Sequence, residues 1–136
     1  MENCIFCKIA NKELPAHVIY EDGGTLAFLD IHPVNPGHVL IVPKEHAATV
    51  LDISQRSLYA VMDTVQRIAP AVLAGVGASG FNIGVNTGLV AGQAVLHFHL
   101  HLMPRHEGDG RDLWHGKETV PGELETVTAK IREHLN

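Results

Sequence analysis

The chain has 136 residues, of which 46% are hydrophobic and 18% are charged. This length and apolar content suffice for a buried core, and we expect a single domain over residues 1–136. The formal net charge is -5 and no run of Lys or Arg stands out, which argues against nucleic acid as the ligand. A small phosphorylated ligand is compatible with this charge.

The N-terminal residues show no signal-peptide pattern. Charged residues, together with Cys4 and Cys7, stand where an apolar segment should lie. No run approaches the roughly 18 apolar residues needed to span a bilayer. Both cysteines belong to one C-x-x-C motif, which is too little for a secreted disulfide framework. We therefore expect a soluble, cytoplasmic protein without a membrane partner.

The first half of the chain reads as strands. Apolar and β-branched runs at His17–Glu21 and Thr25–Asp30 flank an Asp-Gly-Gly turn and predict a hairpin. Prolines exclude a central strand over Ile31–Gly37. A third strand is predicted over His38–Val42.

From about Asp52 the apolar spacing takes the helical period. Apolar residues recur at i, i+3, i+4 and i+7 from Leu58 to Leu73 and predict an amphipathic helix. Asp52 and Gln55 resemble a capping box at its start. Pro70 lacks a backbone N–H and predicts a kink or an end to the helix.

The second half alternates strands with irregular segments. Strands are predicted over Phe81–Asn86 and Val95–Met103, with a glycine-bearing loop at Thr87–Gly92 between them. Arg105–Gly116 is polar and irregular, and Glu123–Leu135 has helical spacing. The pattern predicts an α+β domain with a five-stranded antiparallel sheet, a central amphipathic helix and a C-terminal helix.

The most informative segment contains His97, His99 and His101 in strict alternation. The apolar residues beside them are Leu96, Phe98, Leu100 and Leu102. Because strand side chains alternate with period two, the imidazoles should share one sheet face and the apolar residues the other. Imidazoles so close together would repel one another when protonated, so we interpret them as functional. Metal ligation and nucleophilic or acid–base chemistry both fit, and they can coexist.

The Cys4-x-x-Cys7 motif has two interpretations. A redox dithiol normally opens a helix that follows a strand, but only three residues precede Cys4. Thiolates and imidazoles together form closed tetrahedral zinc sites. We favour zinc with histidine partners such as His46 and His97, which are so distant in sequence that tertiary structure must assemble the site.

Several blocks resemble the histidine triad superfamily, in particular its bacterial Hint-like hydrolases. The segment from His97 to Met103 is similar to the His-x-His-x-His motif of that family. The other similar blocks are Cys4–Ile9, Phe28–Ile31, Pro36–His46, Gly84–Gly88 and Ala91–Gln93. Their order and spacing extend the resemblance over roughly residues 3–106.

The resemblance implies a homodimer with the HIT-like α+β fold. It also implies hydrolysis or transfer at the α-phosphate of purine nucleotide conjugates, namely nucleoside phosphoramidates, adenylates or dinucleoside polyphosphates. A neutral imidazole is nucleophilic near pH 7, so a covalent nucleotidyl-histidine that releases a nucleoside monophosphate is chemically reasonable.

The resemblance assigns the catalytic roles to particular residues. His99 is the implied nucleophile, His101 contacts the phosphate and assists proton transfer, and His38 supports them. Gln93 matches a position that contacts the phosphate and the leaving group. Asn86 matches a phosphate contact.

The remaining implied substrate contacts lie in residues 28–31 and in the loop before the triad. Asp30 is expected to bind the ribose hydroxyls. The base is expected to contact the side chains of Phe28, Leu29 and Ile31. Gly92 is placed where the backbone can approach the phosphate closely.

Bacterial members with the N-terminal C-x-x-C bind zinc, which implies Cys4, Cys7, His46 and His97 as ligands. Four protein ligands leave no open position, so the expected role of Zn²⁺ is structural. Two alternatives stay open, namely a non-catalytic nucleotide-binding or interaction module and a zinc-dependent hydrolase.

Overall fold

Residues 3–135 are described by the computed structural model, which arranges helices around one sheet. In chain order the elements are α1 Ile5–Ala10, β1 Val18–Glu21, β2 Thr25–Leu29, β3 Val39–Pro43, α2 Gln55–Val76, β4 Gly80–Gly84, β5 Leu100–Arg105 and α3 Glu123–Glu133. A 3₁₀ turn at Leu89–Ala91 separates β4 from β5. The predicted α+β class, with a central and a C-terminal helix, is confirmed.

The five strands form one antiparallel sheet in the order β1-β2-β3-β5-β4. The last strand in sequence therefore lies between β3 and β4. This order places residues 100–105 beside residues 39–43, and it brings the start of the histidine segment next to the turn that follows β3.

The main core lies between α2 and one face of the sheet. Apolar alternation along β2, β3 and β5 directs every second side chain to this face, and α2 covers them with its apolar stripe. The buried members are Ala27, Val39, Ile41, Val61, Val65, Ile68, Ala69, Val72, Phe98, Leu100 and Leu102. Because the sheet and the helix bury these residues together, this cluster fixes the register of the central strands.

A second apolar cluster covers the opposite face and contains Phe6 of α1. Its other members are Leu26, Phe28, Leu40 and Val42. Helix α1 was not predicted from the sequence; it has six residues and is too short to be stable alone. Packing of Phe6 against the sheet stabilises it, and the Cys4 side chain caps its first turn by accepting from the Cys7 N–H.

The predicted strand over Val95–Met103 is wrong at its beginning. The ladder with β3 starts at Leu100, and the preceding residues form bends. Leu96 is 65% exposed and does not join the core, whereas Phe98 is buried and donates its N–H to the Ala47 carbonyl at 2.7 Å. A backbone hydrogen bond outside the ladder thus aligns this segment with residue 47.

The predicted capping box at the start of α2 is also wrong. The N-cap is Ser54, whose hydroxyl accepts from the Ser57 N–H at 3.1 Å. Asp52 instead closes the preceding turn by accepting from the N–H groups of Ala48 and Thr49. Asp52 and Ser54, two residues apart, are both suitable N-caps, and the loop geometry selects the later one.

Pro70 does not end α2, which continues to Val76. Pro70 and Gln66 lie on the exposed side of the helix. The Gln66 carbonyl, which loses its intrahelical donor, therefore faces solvent. The helix ends at Gly77, which adopts the left-handed conformation with φ of 66°.

Gly37 allows a close approach of the β2–β3 connection to α2. Its φ is +89°, and an added Cβ would lie 2.8 Å from Val76 Cγ1 and 3.2 Å from Pro104 Cγ. Gly77 has a similar positive φ of +66° but no neighbouring atom within 4 Å of the same position. An alanine at residue 77 would therefore suffer backbone strain alone, whereas an alanine at residue 37 would also overlap with neighbouring side chains.

We predict that Gly77→Ala lowers the free energy of unfolding by about 1 kcal/mol, since only the left-handed backbone is penalised. Gly37→Ala should cost at least about 2 kcal/mol, because overpacking adds to that strain. Urea denaturation of both variants measures the difference. Equal losses would contradict a steric requirement at Gly37.

Candidate active site and metal centre

The three imidazoles of the triad lie on the sheet face that α1 covers. His101 is paired in register with Leu40, a member of the α1-side cluster. The ring centroid of Phe6 lies 6.1 Å from that of His97 and 5.0 Å from that of His99. The rings of His99 and His101 are also 5.0 Å apart. The shared face that the alternation predicts is thus present, although only His101 belongs to a strand.

The tautomer of His99 is determined by the backbone of the triad segment. Its Nδ1–H donates to the carbonyl of His97 at 2.8 Å. The lone pair therefore resides on Nε2. Nε2 has no hydrogen-bond partner within residues 3–135, and the side chain is only 7% exposed. Such a nitrogen is oriented and available for attack on an electrophile placed against it.

A chain of hydrogen bonds also determines the tautomer of His101. The Val34 N–H donates to His38 Nδ1 at 3.0 Å, so the proton of neutral His38 is on Nε2. His38 Nε2–H then donates to His101 Nδ1 at 2.9 Å. The proton of neutral His101 is consequently on Nε2, which is buried and has no partner within the described chain. An unpaired buried donor is costly, so this N–H is suited to a ligand oxygen.

Burial keeps both of these histidines neutral near pH 7. Burial lowers the pKa of His38, against the opposing effect of the Asp30 carboxylate. Burial, followed by the neighbouring imidazoles of His99 and His38, lowers the pKa of His101 to about 4. Neutral rings are what the directed chain of hydrogen bonds requires.

Asp30 lies at the end of β2, beside the histidine pair. One carboxylate oxygen accepts from the His32 N–H at 2.8 Å, and the other is 3.6 Å from His38 Nε2. Although Asp30, His38 and His101 bring potential ligand atoms together, both nitrogens of His38 already have hydrogen-bond partners. We therefore interpret the group as a hydrogen-bond relay, and the ribose contact of Asp30 stays a prediction.

The side chain of Gln93 forms hydrogen bonds within the protein, and the ligand contact expected of it stays a prediction. It is 2% exposed, and its Oε1 accepts from the Gly88 N–H at 3.0 Å. Its Nε2 donates to the carbonyls of Ala48 and Val95 at 2.7 and 3.1 Å. Because its polar atoms are used within the protein, the side chain holds the loop before the triad in position.

Asn86 and Gly92 lie against each other in the same loop. Gly92 has a φ of +93°, and an added Cβ would lie 3.5 Å from Asn86 Nδ2. This backbone conformation favours glycine. The phosphate contacts expected of both residues stay predictions.

The three residues expected to contact the base do not lie on the same side of the sheet. Phe28 lies on the triad face, with its ring centroid 5.5 Å from that of Phe6. Leu29 packs against the α2-side core on the opposite face, so its side chain cannot line a pocket at the triad. Strand alternation accounts for this difference. Ile31 is 77% exposed.

Cys4, Cys7, His46 and His97 form a compact cluster at the N-terminal end of the triad segment. Their ligand atoms all lie within 4.8 Å of one another. The Sγ atoms of Cys4 and Cys7 are 3.3 and 3.4 Å from His97 Nδ1. His46 Nδ1 is 3.3 Å from Cys7 Sγ and 3.1 Å from His97 Nδ1. This set of donors fits a four-coordinate soft metal ion.

The protonation of His97 supports this fit. Its Nε2–H donates to the Pro43 carbonyl at 2.8 Å, which leaves an unprotonated Nδ1 directed into the cluster. Burial and the neighbouring Cys4 side chain raise the pKa of Cys7. A cation is therefore needed to stabilise the thiolate there.

The segment after β5 is irregular, as the sequence predicts, but its first part is ordered by Asp109. The carboxylate forms a bidentate ion pair with Arg105 and also accepts from Asn35 Nδ2 at 2.9 Å. Trp114, further along, is 82% exposed.

Phe6 contacts the rings of His97, His99 and Phe28, a contribution that was not predicted from the sequence. The i, i+4 spacing of Ile5 and Ile9 around it was a signal for the helix that positions it. The acceptor carbonyl of Pro43 had no signal in the sequence, because backbone groups are brought to a site only by the fold.

Within residues 3–135, no helix combines the length and the hydropathy needed to cross a lipid bilayer. A family model for the HIT domain matches residues 11–108. An uncharacterised HIT-like protein of Methanocaldococcus jannaschii is 45% identical over 129 residues, which are 95% of this chain and 98% of that protein. An adenylylsulfatase of Arabidopsis thaliana is 39% identical over 139 residues, covering 98% of this chain and 70% of that protein.

Solved structures share the fold. The crystal structure of a protein from Streptococcus mutans has a TM-score of 0.92 and 34% identity, and the match covers 100% of this chain and 87% of the other. A histidine triad nucleotide-binding protein from Candida albicans has a TM-score of 0.84 and 33% identity, with 98% and 97% of the two chains covered.

The buried His101 leads to a prediction for stability against pH. Its pKa falls from an ordinary 6.5 to about 4 on folding, so the unfolded chain binds the proton more tightly. The His101 contribution is complete above pH 6.5 and is lost as the pH falls toward 4. We expect a loss on the order of 3 kcal/mol over this range.

The measurement is the free energy of unfolding by urea at pH values across this range, for the parent chain and for His101→Gln. The groups facing His101 are His38, His99 and Asp30, all of which the variant retains. The variant should show a shallower decline. Parallel curves would contradict the assignment to His101.

Proposed function

The chain belongs to the HIT domain family, and we propose that it cleaves purine nucleotide conjugates at the α-phosphorus with His99 as the nucleophile. The substrate is a nucleoside 5′-phosphate joined through the α-phosphorus to an amine, an acid or a second phosphate. The products are a nucleoside monophosphate and the released group.

One observation carries this proposal: two adjacent imidazoles present opposite hydrogen-bonding characters. His99 has its lone pair on Nε2, because Nδ1–H donates to a backbone carbonyl. His101 has its proton on Nε2, because Nδ1 accepts from His38. A phosphoryl group placed against them would meet a nucleophile and a donor at once.

In the proposed reaction, His99 Nε2 forms a bond to the α-phosphorus while the bond to the leaving group breaks. Negative charge increases on the non-bridging oxygens, where His101 Nε2–H can donate. The leaving group departs with the bonding electrons and takes up a proton. Water then attacks the nucleotidyl-histidine, releases the nucleoside monophosphate and regenerates His99.

The relatives support an adenylyl group as part of the substrate. The Arabidopsis relative is named an adenylylsulfatase, and the Candida structure is named a nucleotide-binding protein. We extend both properties to this chain as part of the proposal. A nucleotide-binding module without turnover is the alternative that the first experiment below tests.

The remaining substrate contacts are proposed from their positions. Phe28 and Ile31 are suited to contact the base, and Asp30 the ribose hydroxyls. Asn86 and the backbone at Gly92 are suited to contact the phosphate. Leu29 is omitted because it packs on the other face of the sheet.

The cluster of Cys4, Cys7, His46 and His97 is proposed to hold Zn²⁺. When bound, the ion supplies a rigid crosslink between α1, the segment after β3 and the triad segment. The protein's own contribution is to keep the His97 carbonyl where the His99 Nδ1–H can reach it. Four protein ligands complete a tetrahedral site, which favours this structural role over a zinc-dependent hydrolase.

We expect His99→Ala to lower kcat for adenosine 5′-phosphoramidate at least about a thousandfold, because the variant lacks the imidazole that forms the proposed covalent intermediate. AMP release measures the rate. Rapid acid quenching with a radiolabelled nucleotide should trap an adduct on the parent chain and none on the variant.

His17→Ala is the matched control, since His17 is exposed and lies outside the triad. It should retain the parent rate. Unchanged turnover in His99→Ala would remove this residue from the mechanism, and tight AMP binding by the parent chain without any turnover would establish the binding module instead.

We expect about one zinc ion per chain in protein purified without chelator, and a content below about a tenth of that in Cys7→Ala. Elemental analysis measures both, with His17→Ala again as the control. Removal of the metal should also lower the Tm of the parent chain. A parent chain without zinc would contradict the proposed ligands, and turnover that depends on metal in a chain whose fold survives chelation would favour the zinc-dependent hydrolase.

A further inference from the structure

The two cysteines are arranged so that they can react with each other. Cys4 is the N-cap of α1 and Cys7 is the third residue of the helix, with the Cys7 N–H donating to Cys4 Sγ at 3.4 Å. The two thiols are free, and their sulfurs lie within 4.8 Å of each other. A disulfide needs a sulfur separation of about 2.05 Å, which small side-chain rotations can approach.

The two sulfurs differ in access to solvent. Cys7 is buried, whereas Cys4 is partly exposed and borders an open surface groove. The groove is also lined by Ile5 and by residues 94–96, of which Leu96 is 65% exposed. A small oxidant in the groove can therefore reach Cys4 directly, whereas Cys7 is buried.

We propose that Cys4 and Cys7 form a reversible disulfide in response to peroxide, so that the proposed metal centre is also a site of oxidative modification that controls the triad. The inference rests on the proposed zinc site and the proposed nucleotidyl reaction. The residues are those of the proposed zinc site, with the two cysteines oxidised to a disulfide.

The chemistry balances with hydrogen peroxide as the oxidant. The Cys4 thiolate attacks one peroxide oxygen, the O–O bond breaks, and a sulfenic acid forms with release of water after protonation. The Cys7 thiolate then attacks Cys4 Sγ and expels hydroxide, which is protonated to a second water. The two sulfurs together lose two electrons, and the peroxide gains them.

The disulfide removes two of the four donors. His46 and His97 remain, and two imidazoles are insufficient to retain Zn²⁺ at the affinity of a full set. The oxidised state should therefore release the metal. Reduction restores both thiolates and allows the metal to bind again.

Loss of the metal affects the proposed nucleophile His99 through His97. His97 contributes Nδ1 to the metal cluster, and its carbonyl accepts from His99 Nδ1. The segment before Leu100 lies outside the β5 ladder, and Phe98 is held by a hydrogen bond to Ala47, the neighbour of His46. Loss of the crosslink therefore loosens the backbone that orients His99.

The test treats the zinc-loaded, full-length protein with equimolar hydrogen peroxide. A chromogenic chelator measures zinc release, and intact mass spectrometry detects a loss of about 2 Da for the disulfide. Because these are the only cysteines in the chain, the mass change is assigned without ambiguity. We expect one zinc released per disulfide and a decrease in kcat of at least tenfold, reversed by dithiothreitol with added Zn²⁺.

The matched variant is Cys4→Asp, which keeps a metal ligand and removes the accessible thiol. It should release zinc at least tenfold more slowly under the same peroxide. Zinc release and mass are measured without turnover, so a failure of the nucleotidyl reaction is distinguished from a failure of this inference. A parent chain that retains zinc after disulfide formation, or a variant as sensitive as the parent, would overturn the inference.

Discussion

The backbone carbonyl of His97 is the acceptor on which the geometry of the site depends. It receives the Nδ1–H of His99 at 2.8 Å, and this bond alone determines which nitrogen of His99 is free. The ring of the same residue faces the other way, with Nε2–H donating to Pro43 and Nδ1 directed to the cysteines. One residue thus connects the proposed nucleophile with the proposed metal centre.

The relay on the other side of His99 has a direction because it begins at a peptide N–H. The Val34 N–H can only donate, so His38 Nδ1 must accept. His38 Nε2–H then donates to His101 Nδ1, which leaves the His101 proton on Nε2. Burial lowers the pKa values of both imidazoles, which keeps each ring neutral and preserves that order. The relay therefore presents the Nε2 proton of a neutral His101 beside Nε2 of His99.

The sheet order brings these parts together. Since β5 lies between β3 and β4, the residues before it pass the turn at residues 44–47 that follows β3. The cluster on the α1 side then covers the imidazoles with Phe6. A short helix that is unstable alone is stabilised by this contact, and it positions the cysteines in return.

The sequence by itself determined the parts that depend on periodicity and motif. Alternation placed the imidazoles opposite Phe98, Leu100 and Leu102, and helical spacing located α2, because these patterns report which face is buried. The resemblance named the residues of the triad and the Cys4–Cys7 pair. Only the tertiary structure decided that β5 begins at Leu100, that Gln93 holds a loop and that Leu29 faces away from the triad. Those outcomes depend on hydrogen bonds to distant backbone groups, such as the carbonyls of residues 43 and 48, which no local pattern encodes.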